Sequence, residues 1–265
     1  MCGIVGAISE RKISRILLEG LKRLEYRGYD SAGIALLSEK SDKLQQLRSV
    51  GKVRKLSDTI TKRKLQGTIG IAHTRWATHG KPSVKNAHPH SSHNEIAIVH
   101  NGIIENHELL RFRLTERGYE FKTETDSEVI AHLIHHEKKN GKVSFLNSVI
   151  RALGKLKGAY GICAIDNSNR DQIVVARSGS PIVIGIGIGE NFIASDPLAL
   201  GHVTDRFIYL EEADIAQVTR ESIEIWNKGE QVSRPIATID SKIKDAQKGE
   251  YKHFMLKEIY EQPVV

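Results

Sequence analysis

The chain opens Met1-Cys2-Gly3-Ile4-Val5-Gly6, and the reading of these six residues decides how the rest is understood. An initiator methionine is removed when the next side chain is small, and cysteine is small. Clipping would leave Cys2 with a thiol and a free α-amine on one residue. That pairs a nucleophile with its own base, the activation used by N-terminal Thr and Ser enzymes. A free thiol titrates near about 8.5 and an α-amine near about 7.7–8.0, so modest shifts fit either to its task at neutral pH. The plainer reading makes Cys2 a small hydrophobe at the start of an edge strand. An amine still capped by Met1 would be no base.

Residues 3–8 read as a buried strand. Ser9 to Tyr26 carries Ile13, Ile16, Leu17, Leu21 and Leu24 at helical spacing, with charges opposite. Arg27-Gly28-Tyr29-Asp30-Ser31-Ala32-Gly33 is a turn-rich break. Ile34–Leu37 and Leu44–Val50 read as a strand pair, and residues 51–66 as a basic helix or loop. Ile69–His73 is a strand that runs into a long, histidine-rich polar segment, Thr74 to Asn94. A loop of that length inside a compact domain is usually functional, often a lid. Ile96–His100 reads as a strand ending in Asn101-Gly102.

Helices are expected at Glu105–Arg117, Ser127–Lys139 and Val143–Leu156, then short strands from Ala159 to Ile225. Strands at both ends with helices gathered between them predict an α+β, layered sheet-on-sheet domain and not a parallel βαβ array. Near Asp240 the pattern weakens. Residues 249–262 have the look of a helix leaving the domain. The domain is expected to span 2–240, with 241–265 as a linker.

At 265 residues the chain can bury a proper core. Its two cysteines, Cys2 and Cys163, make no disulfide framework and suggest a reducing, cytoplasmic setting. Cys163 reads as a buried strand residue. No signal peptide precedes Cys2, and no apolar run would span a bilayer, so neither export nor a membrane is expected. The net charge of +7 raises nucleic acid as a partner. The cations, however, are scattered among acidic residues without the interleaved aromatics of a stacking platform. Attraction for anionic metabolites fits better.

A thiolate nucleophile needs somewhere to put negative charge. Asn101-Gly102 is either a hairpin turn or an oxyanion hole built from the Asn amide and the Gly N–H. The second reading is favoured because Ile103-Ile104-Glu105-Asn106 and a helix follow, not a partner strand. His73-Thr74-Arg75-Trp76-Ala77-Thr78-His79-Gly80 places a guanidinium at a strand end beside a tryptophan. A planar fork suits a carboxylate; the alternative is a surface arginine beside a packed indole. Asp126, in Thr123-Glu124-Thr125-Asp126-Ser127, either caps a helix or binds an ammonium. His88, His90, His93 and His100 lack a standard zinc spacing, so no metal and no cofactor is expected. Gly185-Ile186-Gly187-Ile188-Gly189 reads as strand and turn, since the third glycine of a nucleotide loop falls on Glu190.

Together, the stretches at 2–6, 27–33, 73–80, 100–102 and 125–126 resemble the class II glutamine amidotransferases, whose glutaminase domains are N-terminal nucleophile hydrolases. The wording at 27–33 and 73–80 is most similar to the branch that aminates a sugar phosphate. Arg177-Ser178-Gly179-Ser180-Pro181 and Lys257-Glu258-Ile259-Tyr260-Glu261-Gln262-Pro263 point the same way. The resemblance covers essentially the whole chain. It implies a four-layer α-β-β-α sandwich of two mostly antiparallel sheets.

It also implies roles for matching residues. Cys2 would attack the side-chain amide of L-glutamine, and Asn101 and Gly102 would form the oxyanion hole. Arg75 would hold the glutamine carboxylate and Asp126 its ammonium. Trp76, Thr78 and His79 would lie on the closing loop, and Arg27 near the nucleophile. In that branch the chain continues into a sugar-phosphate isomerase half that binds fructose 6-phosphate, and the full-length enzyme is expected to be a homo-oligomer. This chain is expected to be an isolated glutaminase domain that hydrolyses glutamine without aminating sugar. A related amidotransferase, of the phosphoribosylpyrophosphate or asparagine-forming kind, is disfavoured by residues 73–80 and 257–263. A basic interaction module is disfavoured by intact Cys2, Asn101 and Asp126.

Overall fold

A computed structural model describes residues 2–38, 41–239 and 260, with the backbone alone at 41–42. The helix expected at 249–262 and the linker at 241–265 therefore fall outside the described residues but for Tyr260, and Met1 falls outside them too. In chain order the elements begin with β1 (Gly3–Ser9), α1 (Ser14–Arg23), β2 (Ser31–Ser38), β3 (Ser41–Val50), α2 (Val53–Arg63) and β4 (Ile69–Arg75). Next come β5 (His90–Ser92), β6 (Ile96–Ile104), α3 (His107–Thr115), α4 (Glu128–Gly141), α5 (Phe145–Leu153) and β7 (Gly158–Asp166). The strands β8 (Asn169–Ser178), β9 (Val183–Ile186), β10 (Glu190–Ala194) and β11 (Arg206–Tyr209) follow. The last four are β12 (Asp214–Val218), β13 (Ile223–Asn227), β14 (Glu230–Val232) and β15 (Ile236–Thr238).

The alternation of side chains along each central strand explains the layering. On β1, Val5 and Ala7 pack with Leu17 and Leu21 of α1, whereas Ile4 and Ile8 face the second sheet. On β6, Ala97 and Val99 meet that same inter-sheet core, whereas Ile96 and Ile98 face Val129 and Leu133 of α4. A strand apolar on both faces has to be covered twice. Two sheets and two helical layers result, with α1 and α2 outside one sheet and α3, α4 and α5 outside the other. The first sheet runs β15-β11-β9-β10-β1-β4-β2-β3 and the second β14-β13-β12-β8-β7-β6-β5. Their recorded pairings are antiparallel, as in β1 with β4 and β6 with β7. The expected α-β-β-α sandwich is the observed architecture.

Three of the departures from the expected boundaries have partners that explain them. The first helix starts at Ser14, not Ser9, because Ser9 stays in the β1 ladder opposite Glu190 and its hydroxyl donates to that carboxylate. Arg11 forks onto Glu190 as well, so residues 9–11 are clamped to β10. The Thr74–Asn94 segment is not all loop, since β4 continues to Arg75 and His90–Ser92 pairs with β6. And β6 does not stop at Asn101-Gly102. It continues to Ile104, with Asn101 opposite Gly161 and Gly102 opposite Tyr160. Its partner there, β7, begins only at Gly158.

Candidate active site

Cys2 lies just before the start of β1, beside the end of β4 and against Asn101 of β6. Gly3 pairs with Thr74, so the register of β1 and β4 sets Cys2 beside Arg75 and Trp76. The Trp76 N–H donates to the Cys2 sulphur at 3.2 Å. From the opposite sheet, the Asn101 Nδ2 donates to the Cys2 carbonyl at 3.3 Å. Burial pushes the Cys2 thiol above its ordinary range, and the Trp76 N–H and the Arg75 charge partly offset that rise. A raised thiol needs a base to supply its thiolate.

Gly102 sits at φ +127, and a Cβ there would lie 2.0 Å from the Ala159 carbonyl oxygen. Only glycine lets β6 approach β7 this closely, one residue on from Asn101. Asn101 and Gly102 thus share one strand end, half-buried or exposed, next to Cys2.

Arg75 is almost fully buried. One terminal nitrogen of its guanidinium donates to the carbonyls of His79 and Gly80. The other, Nη1, is buried with no hydrogen-bond partner among the described residues and lies 4.0 Å from Asp30. A buried donor left open is costly unless something binds it, and a carboxylate would. Asp126 is buried too; its Oδ2 accepts the Ile104 N–H at 2.8 Å, and the Ser127 hydroxyl donates to Oδ1 at 3.3 Å. It therefore braces the end of β6 and does not cap α4, whose N-cap Ser127 makes no side-chain capping bond.

The remaining expected residues spread around this centre. Trp76 and Thr78 are exposed, and His79 is half-buried with its ring edge-on to His107. Arg27 pairs with Asp196 and donates to the Tyr26 hydroxyl. Asp196 in turn accepts the Leu198 N–H, beside Ser195, whose hydroxyl accepts the Ile4 N–H. Arg27 so ties the segment after α1 to the stretch after β10, whose Ser195 holds the Ile4 N–H of β1. The expected turn at residues 185–189 is the end of β9 and the turn after it, and Cys163 is fully buried on β7.

Two residues that carry the site had no role assigned from sequence. Asp30 accepts the Ala77 N–H and the Ser31 hydroxyl, so it holds the segment just after Trp76. His73, fully buried on β4, bonds Asn101 across the gap between the sheets. The signals were an acidic residue inside the specific 27–33 stretch, and a polar ring in an otherwise apolar strand. Among the described residues, no group of three or more His, Cys, Asp or Glu side chains is placed to hold a metal. No helix among them is long and apolar enough to cross a membrane.

A family model described as a glutamine amidotransferase domain matches residues 73–200. Over all of its length the chain is 58% identical to the glutamine–fructose-6-phosphate aminotransferase (isomerizing) of Idiomarina loihiensis. It is 57% identical, again over its whole length, to the enzyme of the same name from Pseudomonas aeruginosa. The chain spans 43% of the length of each of these relatives. A solved structure of glutamine phosphoribosylpyrophosphate amidotransferase from B. subtilis superposes with a TM-score of 0.73 at 27% identity, covering 85% of this chain and 49% of that one. A glutamine aminotransferase class-II domain protein from Silicibacter pomeroyi shares the fold, with a TM-score of 0.58 at 15% identity over 85% of this chain and 99% of that one. With Cys2, Asn101 and Arg75 gathered on this sandwich, the chain is similar to glutamine amidotransferases, and its residues 73–200 match the domain model of that name.

Proposed function

We propose that this domain, taken as residues 2–240, hydrolyses L-glutamine to glutamate and ammonia through a thioester on Cys2. The observation that carries the reading is the convergence on Cys2 of the Trp76 N–H and the Asn101 amide, from two different sheets. With Met1 removed, the Cys2 α-amine takes the thiol proton, directly or through a water. The thiolate attacks the side-chain amide carbon, and the carbonyl oxygen becomes an oxyanion. The Asn101 Nδ2 and Gly102 N–H stabilise that charge where it develops. Collapse breaks the C–N bond, and the protonated amine returns its proton to the leaving ammonia. Water then attacks the thioester, releasing glutamate and restoring the thiol.

Specificity for glutamine needs its two charged ends read together. The open Nη1 of Arg75 suits the α-carboxylate as half of a planar fork. Asp126, anchored by the Ile104 N–H, supplies the counter-charge for the α-ammonium. Trp76, Thr78 and His79 form the loop over the bound amino acid, and Arg27 braces its floor. No cofactor is called for by this chemistry.

The name of these relatives supports one use for the ammonia. We infer that the domain supplies it for amination of fructose 6-phosphate on a sugar-phosphate isomerase half joined through residues 241–265. In a homo-oligomeric enzyme of the reducing cytoplasm, two unpaired thiols such as Cys2 and Cys163 would persist. The test is intact-mass spectrometry before and after a glutamine-like diazoketone. Loss of Met1 followed by one adduct on Cys2 is expected; a free Cys2 that takes no adduct would sink the reading.

A further inference from the structure

His73 stands on β4 in one sheet and Asn101 on β6 in the other. The His73 Nε2 lies 3.0 Å from Asn101 Oδ1 and 3.1 Å from the His100 carbonyl oxygen. A carbonyl oxygen only accepts, so Nε2 carries the proton and shares it between these two oxygens. Nδ1 is then the bare nitrogen, and it is buried without a partner among the described residues. Burial holds the ring neutral, with its pKa pushed down to about 3, and His88 stacks on it at 4.2 Å.

This donor fixes which way the Asn101 amide faces. With Oδ1 held by His73, the NH2 group turns toward Cys2 and reaches its carbonyl. A flipped amide would set donor against donor at His73 and oxygen against oxygen at Cys2. Each such mismatch leaves a part-buried polar group without a partner, which disfavours the flipped amide.

We propose that His73 is a positioning residue, whose Nε2–H locks the Asn101 amide with its NH2 toward the nucleophile before substrate arrives. The proposal rests on the glutaminase reading above, with Asn101 as oxyanion donor. Without the lock, the amide samples the orientation that presents its oxygen to the developing negative charge. His73 moves no proton itself.

The test compares glutamine hydrolysis by wild type, H73F, H73Q, N101A and the double variant H73F/N101A, each with loss of Met1 verified by mass. H73F keeps a ring and loses the donor, so kcat falls about a hundredfold, the worth of one oxyanion donor, while KM for glutamine stays within about threefold. H73Q restores an N–H along the Nε2 line and recovers most of that loss, with an unshifted pH profile. The double variant is no slower than N101A, because His73 acts only through Asn101.

The proposal is overturned if H73F keeps its kcat, if its loss lies in KM, or if the losses multiply in the double variant. Should H73F not fold, H73Q decides alone: a folded H73Q as slow as N101A, or with a moved pH profile, overturns it. Wild-type protein with a free Cys2 that releases no ammonia would instead sink the glutaminase reading.

Discussion

The backbone N–H of Trp76 points at the Cys2 sulphur from 3.2 Å, while the indole of the same residue lies over Gly28. One residue thus joins Cys2, the segment after β4 and the turn after α1. Gly28 has φ +74, and a Cβ there would stand 2.8 Å from the indole. G28A is expected to displace Trp76, lower kcat/KM about tenfold and cost about 1 kcal/mol of stability. Kinetics with a paired denaturation curve check both numbers, and an unchanged kcat/KM would contradict the coupling.

At Gly102 the constraint is backbone against backbone, 2.0 Å from a hypothetical Cβ to the Ala159 carbonyl oxygen. No side chain can yield there. G102A is expected to part β6 from β7 locally, reduce kcat at least about a hundredfold and lower the melting temperature. A fully active G102A would show that this strand end does not form the oxyanion hole.

Arg75 Nη1 is buried without a hydrogen-bond partner among the described residues, while the other terminal nitrogen is held by His79 and Gly80. Lysine keeps the charge and loses the fork. R75K should raise KM for glutamine about tenfold or more, while a simple haloacetamide still alkylates Cys2 at the wild-type rate. Equal loss in both assays would mean that Arg75 supports the thiol and not the substrate.

Acid should destabilise this fold. Histidine in an unfolded chain titrates near about 6.5. Burial lowers His73 and His90 to about 3, lowers His135 to about 4 and drives His88 well down. The unfolded chain therefore takes up protons first as pH falls. Stability is full above about pH 6.5 and is lost toward the folded values, each ring contributing up to about 1.4 kcal/mol per pH unit. Urea midpoints at pH 7 and pH 5 should differ markedly; a flat profile would contradict the buried neutral rings.

Much of this was legible in the chain itself. The order of strands and helices pointed to a layered α+β domain, the family resemblance implied the α-β-β-α sandwich, and Cys2, Arg75 and Asn101-Gly102 carried their chemistry in residue type. The misread boundaries share a cause in distant partners. β6 runs on past Gly102 because β7, more than fifty residues later, pairs with it. Ser9 stays extended because Glu190 holds it. The part played by Asp126 at Ile104, and by His73 at Asn101, also depends on contacts between segments far apart in sequence. Local pattern reports which residues are unusual; only the packed sheets show which of them meet.

Ammonia release from L-glutamine, by wild type and by C2A, tests the central claim most directly. With loss of Met1 verified, wild type should release ammonia and glutamate in equal amounts, and C2A, folded by the same spectroscopic criteria, should release neither. Ammonia from C2A, or none from a wild-type chain whose Cys2 amine is free, would contradict Cys2 as the nucleophile.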